Sequence, residues 1–347
     1  MTAMDLTFTH FLATVVGLAI GSIVVGVIVA RRRAPMSRLL RRHFGTDRSD
    51  ELVITSRRFQ ARIRSDLQKA LDQFFAAGVT INHTCGVRQE NRFDAIGFTD
   101  LFAEDTTVPP VALEFEDIDI GEETPVRCTV KGLWLLTHQG QRYAVLMSPM
   151  GFPGEPPLVQ VQVAGKAGDG EFAERLFEAM EDAVRNAVSY RGKVLSLEDG
   201  SLYMGQATGL TVHKLRGVGR EEVILPPKTL DLLDRNVVRF VRHRGSLRRA
   251  GQAIRKGLLF YGPPGNGKTH TIHYLIRALE GHTTLLIAAE EVKSLGEYMT
   301  LARLLQPSVV VIEDVDLIAR ERTDLDSPCQ ESLLNKLLNE MDGLKED

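Results

Sequence analysis

The sequence predicts an α/β protein: a parallel sheet in the C-terminal third, preceded by one transmembrane helix and an α+β middle domain. Three observations predict it. Residues 11–30 hold no charged side chain. Residues 111–163 run as alternating stretches broken by proline and glycine. Around residues 257–279, a short apolar run passes through a glycine-rich loop into a helical pattern, the strand–loop–helix order of a parallel sheet.

Composition sets the outer bounds. A chain of 347 residues has room for about two globular domains. With 44% hydrophobic and 25% charged residues, disorder throughout is excluded. A net charge of -3 excludes bulk electrostatic affinity for nucleic acid, and no nucleic-acid partner is expected. Cys85, Cys128 and Cys329 lie far apart with no Cys-x-x-Cys pair, so neither a disulfide framework nor a structural zinc site is expected. There is no internal repeat.

The first element, residues 7–30, reads as a transmembrane helix. Phe11–Ala30 is 20 residues long with only Thr14 and Ser22 as polar side chains. About 20 helical residues cross a hydrocarbon core of about 30 Å. A basic juxtamembrane segment, 31–44, follows with Arg31, Arg32, Arg33, Arg38, Arg41 and Arg42. Arginine stays on the cytoplasmic side, which puts the N-terminus outside and the rest in the cytosol, most simply at a bacterial inner membrane. The segment lacks the positive n-region of a cleaved signal peptide. The arginines set topology and can also hold anionic membrane lipid. Gly17 and Gly21, with Ala13, give one small-residue helix face, though glycine is common in membrane helices anyway.

Residues 45–200 read as one α+β domain. A helix is expected over 49–77, then strands at Val111–Phe115, Val126–Leu136, Tyr143–Met147 and Leu158–Val163. An amphipathic helix is expected over Glu171–Tyr190, with Phe172, Leu176, Phe177, Met180, Val184 and Val188 on its apolar side. Lys193–Leu197 reads as one more strand. This domain shows no nucleophile–base set and no metal spacing. Nine acids and no lysine or arginine fall between Asp100 and Glu123, a docking face for a basic partner or, more commonly, a solvated face. His83, His138 and His213 stand alone and read as structural.

Residues 215–347 carry the chemistry. Gly262-Pro263-Pro264-Gly265-Asn266-Gly267-Lys268-Thr269, followed by His270, fits the P-loop spacing G-x-x-x-x-G-K-T. Leu258–Tyr261 is expected as the buried strand before it and Thr271–Leu279 as the helix after it. Glycines let successive N–H groups turn inward around phosphates, and the helix N-terminus adds its positive end. Lys268 supplies a point charge to the outer phosphates, and the Thr269 hydroxyl is a magnesium ligand. Thr284–Ala288 reads as a second strand. Ser308–Ile312 is a β-branched strand ending in Glu313-Asp314, where P-loop proteins hold magnesium and align the attacking water.

Together GPPGNGKT, VVVIEDVDLIA and ESLLNKLLNEMDGL resemble the AAA family of ATPases over roughly Val223 to Asp347. The whole layout is similar to that of the mitochondrial ATPases that translocate the Rieske iron–sulfur protein. The resemblance implies ATP and Mg2+, Lys268, Glu313 and Asp314 as catalytic residues, and Thr269 and Glu313 as metal ligands. It also implies a homo-oligomeric ring, hexameric when complete, acting on a protein client. Two features depart from the common pattern. The acid pair runs Glu-Asp rather than Asp-Glu, so the water-polarising role falls to the shorter Asp314. Ser294-Leu295-Gly296, with Tyr298 nearby, stands where many unfoldases carry an aromatic pore residue. Such a core has five strands and a helical lid; three strands are readable here. The sheet is therefore expected to be incomplete at the C-terminus, with the sensor, arginine fingers and lid beyond residue 347. The function implied is a membrane-anchored ATPase that remodels or translocates protein. The alternatives are a membrane AAA protease whose protease domain lies downstream and a non-hydrolysing nucleotide-binding scaffold. A helicase-like role is disfavoured, because the basic stretch Arg235–Lys256 lacks interleaved aromatics beyond Phe240.

Overall fold

A computed structural model describes residues 36–46, 48–88, 96–103, 108–151, 157–168, 170–197 and 209–315. The expected membrane span and the ESLLNKLLNEMDGL stretch lie outside the described residues. No helix among the described residues is long and apolar enough to cross a membrane. The contacts divide the chain into two compact units. One takes residues up to 64, 68–116 and 127–180; the other takes 65–67, 117–126 and 181 onward.

The first unit is a seven-stranded sheet: β1 (Leu52–Gln60), β2 (Thr80–Val87), β3 (Pro110–Val111), β4 (Glu114–Ile118), β5 (Val126–His138), β6 (Gln141–Met150) and β7 (Leu158–Lys166). Its order is β1-β7-β6-β5-β2-β3, with β4 paired to β5. Every ladder along β1-β7-β6-β5-β2 is antiparallel. Helices α1 (Met36–Phe44), α2 (Arg64–Ala76), α3 (Phe98–Phe102) and α4 (Gly170–Asn186) complete the unit's elements. Met36, Leu40 and Phe44 of α1 pack with Phe98, Leu101 and Phe102 of α3 against Leu133, Leu135, Ala144 and Leu146. At β5 and β6 the alternate side chains are buried as well, including Trp134, Leu136, Val145 and Met147, so this part of the sheet is covered on both faces. Phe172 of α4 stacks on Tyr143 with ring centroids 4.1 Å apart.

The expected helix over 49–77 is corrected in its first half. Residues 52–60 form β1, and only 64–76 are α-helical. Val53, Ile54 and Thr55 are β-branched, and a nine-residue ladder to β7 outweighs the weak helical spacing. The helix expected to Tyr190 ends at Asn186, leaving Val188 67% exposed rather than on the apolar side.

The second unit holds a four-stranded sheet of β8 (Val194–Leu197), β9 (Leu210–His213), β10 (Thr283–Ile287) and β11 (Ser308–Ile312), in the order β11-β10-β8-β9. β10 is parallel to both its neighbours, while β9 is antiparallel to β8, so the described sheet is mixed. Its principal helices are α5 (Pro227–Leu233), α6 (Lys268–Ala278) and α7 (Leu295–Leu304). The strand near Lys193–Leu197 was expected in the middle domain; it pairs with β10 instead. Thr283 explains part of this registry. Its buried hydroxyl donates to Leu305 O at 2.8 Å and accepts from Gly192 N at 3.1 Å.

Candidate functional site

The glycine-rich loop is shaped as its sequence requires. Gly265 and Gly267 adopt φ of 80° and 75°, left-handed values that cost glycine little. Gly267 caps α6, and the helix begins at Lys268. The Thr271 N–H donates to Gly267 O at 2.9 Å, and the Thr271 hydroxyl donates to the same oxygen at 2.9 Å. Lys268 Nζ reaches back across the loop to Gly262 O at 2.9 Å and Pro263 O at 3.0 Å. Pro263, Pro264, Gly265 and Asn266 are exposed, whereas Gly262 is half-buried. Thr269 is exposed, and its hydroxyl makes no hydrogen bond among the described residues. The His270 ring donates from Nε2 to Glu222 O at 3.2 Å. The Glu222 carboxylate is held below the usual range, first by the Gly219 N–H and then by Arg216 beside it.

The acid pair sits at the carboxyl end of β11. Glu313 N–H donates to Ile287 O at 2.9 Å, extending the β10–β11 ladder by one bond. Asp314 turns the chain off the strand with φ of 49°, a conformation that aspartate tolerates better than most residues. Glu313 is half-buried and Asp314 exposed. Loop and pair belong to the same compact unit. The turn at residues 279–282 leads from α6 straight into β10, and Tyr274 and Leu275 of α6 share an apolar cluster with Val309 of β11. The helix therefore packs beside β11, and its C-terminus leads into the start of β10. No hydrogen bond or ion pair directly joins Lys268 to Glu313 or Asp314 among the described residues; the lysine is bonded to the loop's own carbonyls.

One expectation changes. Leu258–Tyr261 is not a strand: among the described residues it enters no ladder, and Leu258, Leu259 and Tyr261 are 49%, 80% and 96% exposed. An isolated extended run has no ladder to hold it, so apolar character alone does not make a strand. Tyr298, near Ser294-Leu295-Gly296, is fully buried on α7, in keeping with the departure from an aromatic pore residue. The described acidic run is mostly solvent-facing, as its commoner reading expects, and several members are paired: Glu114 with Lys131, Glu116 with Arg64 and Glu122 with Lys193, while Asp100 and Asp119 accept from Gly97 N and Gly121 N. The lone histidines take structural bonds, His138 to Gly78 O and His213 to Ser196 Oγ. In the basic stretch, Lys256 Nζ lies 5.1 Å from the Phe240 ring centroid and bonds Asn236 Oδ1. Sequence reasoning missed Glu222, which anchors His270 through its carbonyl, and Glu291 beside the strand ends. Neither sits in a recognisable spacing.

Comparison with known proteins matches the same C-terminal segment. Residues 258–347 match the family described as ATPase family associated with various cellular activities (AAA). An ATP-dependent zinc metalloprotease FtsH 2 of Thermoanaerobacter is 29% identical over 145 residues, 38% of this chain and 28% of that protein. An AAA-ATPase of Arabidopsis thaliana is 35% identical over 130 residues, 35% of this chain and 28% of that protein. A proteasome-activating nucleotidase of Methanococcus vannielii is 28% identical over 178 residues, 48% of this chain and 40% of that protein. The chain thus spans well under half the length of these relatives.

Proposed function

We propose that this chain, which carries an AAA ATPase domain, is a membrane-anchored ATPase that couples ATP binding and hydrolysis to remodelling or translocation of a protein client. What supports the reading is a glycine-turned loop that opens a helix, together with two carboxylates that close a strand of the same unit. The loop amides and the start of α6 would bind the β- and γ-phosphates, and Lys268 would leave its loop carbonyls for them. The residues present suit magnesium. The Thr269 hydroxyl is uncommitted within the described residues, Glu313 is half-buried at the strand end, and both are hard oxygen donors. A bound magnesium ion would neutralise charge on the outer phosphates. Asp314, exposed and turned off the strand, would orient and polarise the attacking water.

Membrane anchoring rests on the uncharged run at 11–30 and the arginines behind it. A homo-oligomeric ring is proposed from the AAA match over residues 258–347, and most of the loop and Asp314 are exposed. The protease reading draws on relatives named as zinc metalloproteases, yet the match covers only 28% of the first of them. Among the described residues, no three His, Cys, Asp or Glu side chains gather to hold a metal.

The test is phosphate release by the detergent-solubilised chain with ATP and Mg2+, beside Asp314→Asn. The reading expects the variant to bind ATP as the parent does and to turn over at least tenfold more slowly. Equal turnover would remove Asp314 from the mechanism. A scaffold that does not hydrolyse would show binding and no release in either protein.

A further inference from the structure

One peptide group at the candidate site is gripped from both sides. The bond between Ile287 and Ala288 lies at the end of β10. Its C=O accepts from Glu313 N at 2.9 Å, the bond that anchors the acid pair. Its N–H, on Ala288, donates to Glu291 Oε2 at 3.0 Å. That same carboxylate oxygen accepts from the Tyr298 hydroxyl at 2.8 Å. The tyrosine oxygen in turn accepts from Leu197 N at 2.9 Å, at the end of β8. Tyr298 is fully buried and its bond from Leu197 N is buried too, while the Tyr298–Glu291 bond is part-buried and the Ala288–Glu291 bond exposed. A peptide group is planar; fixing the direction of its N–H fixes the direction of its C=O.

We propose that Glu291, held by the Tyr298 hydroxyl, is a positioning residue: it orients the Ile287 carbonyl and through it sets where Glu313 stands. The proposal rests on the reading of Glu313 as a magnesium ligand. Glu291 does not touch nucleotide or metal; it acts through one peptide plane. Tyr298 supplies the proton that orients the carboxylate and ties it to β8. A shift of the Glu313 backbone would move the carboxylate away from the ion, and geometric errors near 1 Å matter at such sites.

The experiment uses the full chain as parent, Glu291→Ala, Glu291→Gln and Tyr298→Phe, with two readouts. The first is amide hydrogen exchange at Ala288 and Glu313, set against Thr284–Leu286 in the middle of β10. The second is the factor by which Mg2+ tightens binding of a fluorescent ATP analogue. Glu291→Ala is expected to speed exchange at Ala288 and Glu313 about tenfold, leave Thr284–Leu286 unchanged, and cut the Mg2+ factor about tenfold with metal-free affinity intact. Glu291→Gln, which keeps an oxygen acceptor, restores most of both. Tyr298→Phe, which keeps the ring in the core, shifts both in the same direction by less. Unchanged exchange at Glu313, exchange that rises evenly through β10, or an unchanged Mg2+ factor beside faster exchange at Glu313 would each overturn the proposal. If the parent binds no nucleotide, the ATPase reading falls by itself, and exchange at Glu313 still decides whether Glu291 positions it.

Discussion

Leu133 and Leu146, on β5 and β6 in the middle of the first sheet, are fully withdrawn from water, and so are Ala144 and Val145. Each of these two strands has partners on both sides. In the second sheet β10 is similarly placed, and Leu285 and Ile287 are fully buried. β11, by contrast, is half-buried along its whole length, with a ladder on one side only among the described residues. The run Leu258–Tyr261 ahead of the loop is more exposed still. The difference teaches where stability and chemistry reside. The first unit invests in packing on both sheet faces. Among the described residues, the second has its acid pair at the end of its less buried strand.

The comparison can be broken most forcefully in the first core. Leu146→Ala should cost about 2–5 kcal/mol of unfolding free energy. Trp134 is the chain's single tryptophan and lies on β5, so denaturant unfolding followed by its fluorescence reads this unit selectively. ATP affinity should stay within about twofold, since Leu146 and the loop belong to different units. Next in size, Thr269→Ala should cut the Mg2+-dependent gain in ATP affinity about tenfold while leaving the Trp134 transition in place. Loss of both together would mean that the two units unfold as one.

A smaller effect concerns pH. His43 is buried, and burial pushes its pKa below 6.5, opposed by its bond to Tyr143 O and supported by nearby Arg142. The unfolded chain then binds the proton more readily than the folded one. Stability from this group is full above about pH 6.5 and is lost as pH falls below it. His43→Gln should flatten that acid limb in the Trp134 transition; an unchanged slope would assign it to other groups. The smallest effect is expected at Leu259→Ser. At 80% exposure it should change stability by no more than about 0.5 kcal/mol. A cost like that of Leu146→Ala would show that the run is packed in solution.

What could be read from the chain followed the range of the forces involved. The loop, the helix after it and the strand Ser308–Ile312 are encoded by contiguous residues, and each formed where its spacing put it. β1 was hidden because its partner β7 lies about 100 residues away and its alternation is weak: Val53, Ile54, Thr55 and Ser56 are all exposed. Leu258–Tyr261 carried strand composition without a ladder. The Glu291–Tyr298–Leu197 chain joins residues seven and 101 positions apart, and no local pattern announces such bonds.

The most direct test of the central claim is equilibrium binding of ATP to the full chain, with and without Mg2+, beside Lys268→Ala. The account predicts saturable binding that Mg2+ strengthens and a loss of about ten- to a hundredfold in affinity on removing the lysine amine. Absence of saturable binding, or affinity indifferent to Lys268, would contradict a phosphate-binding role for this loop.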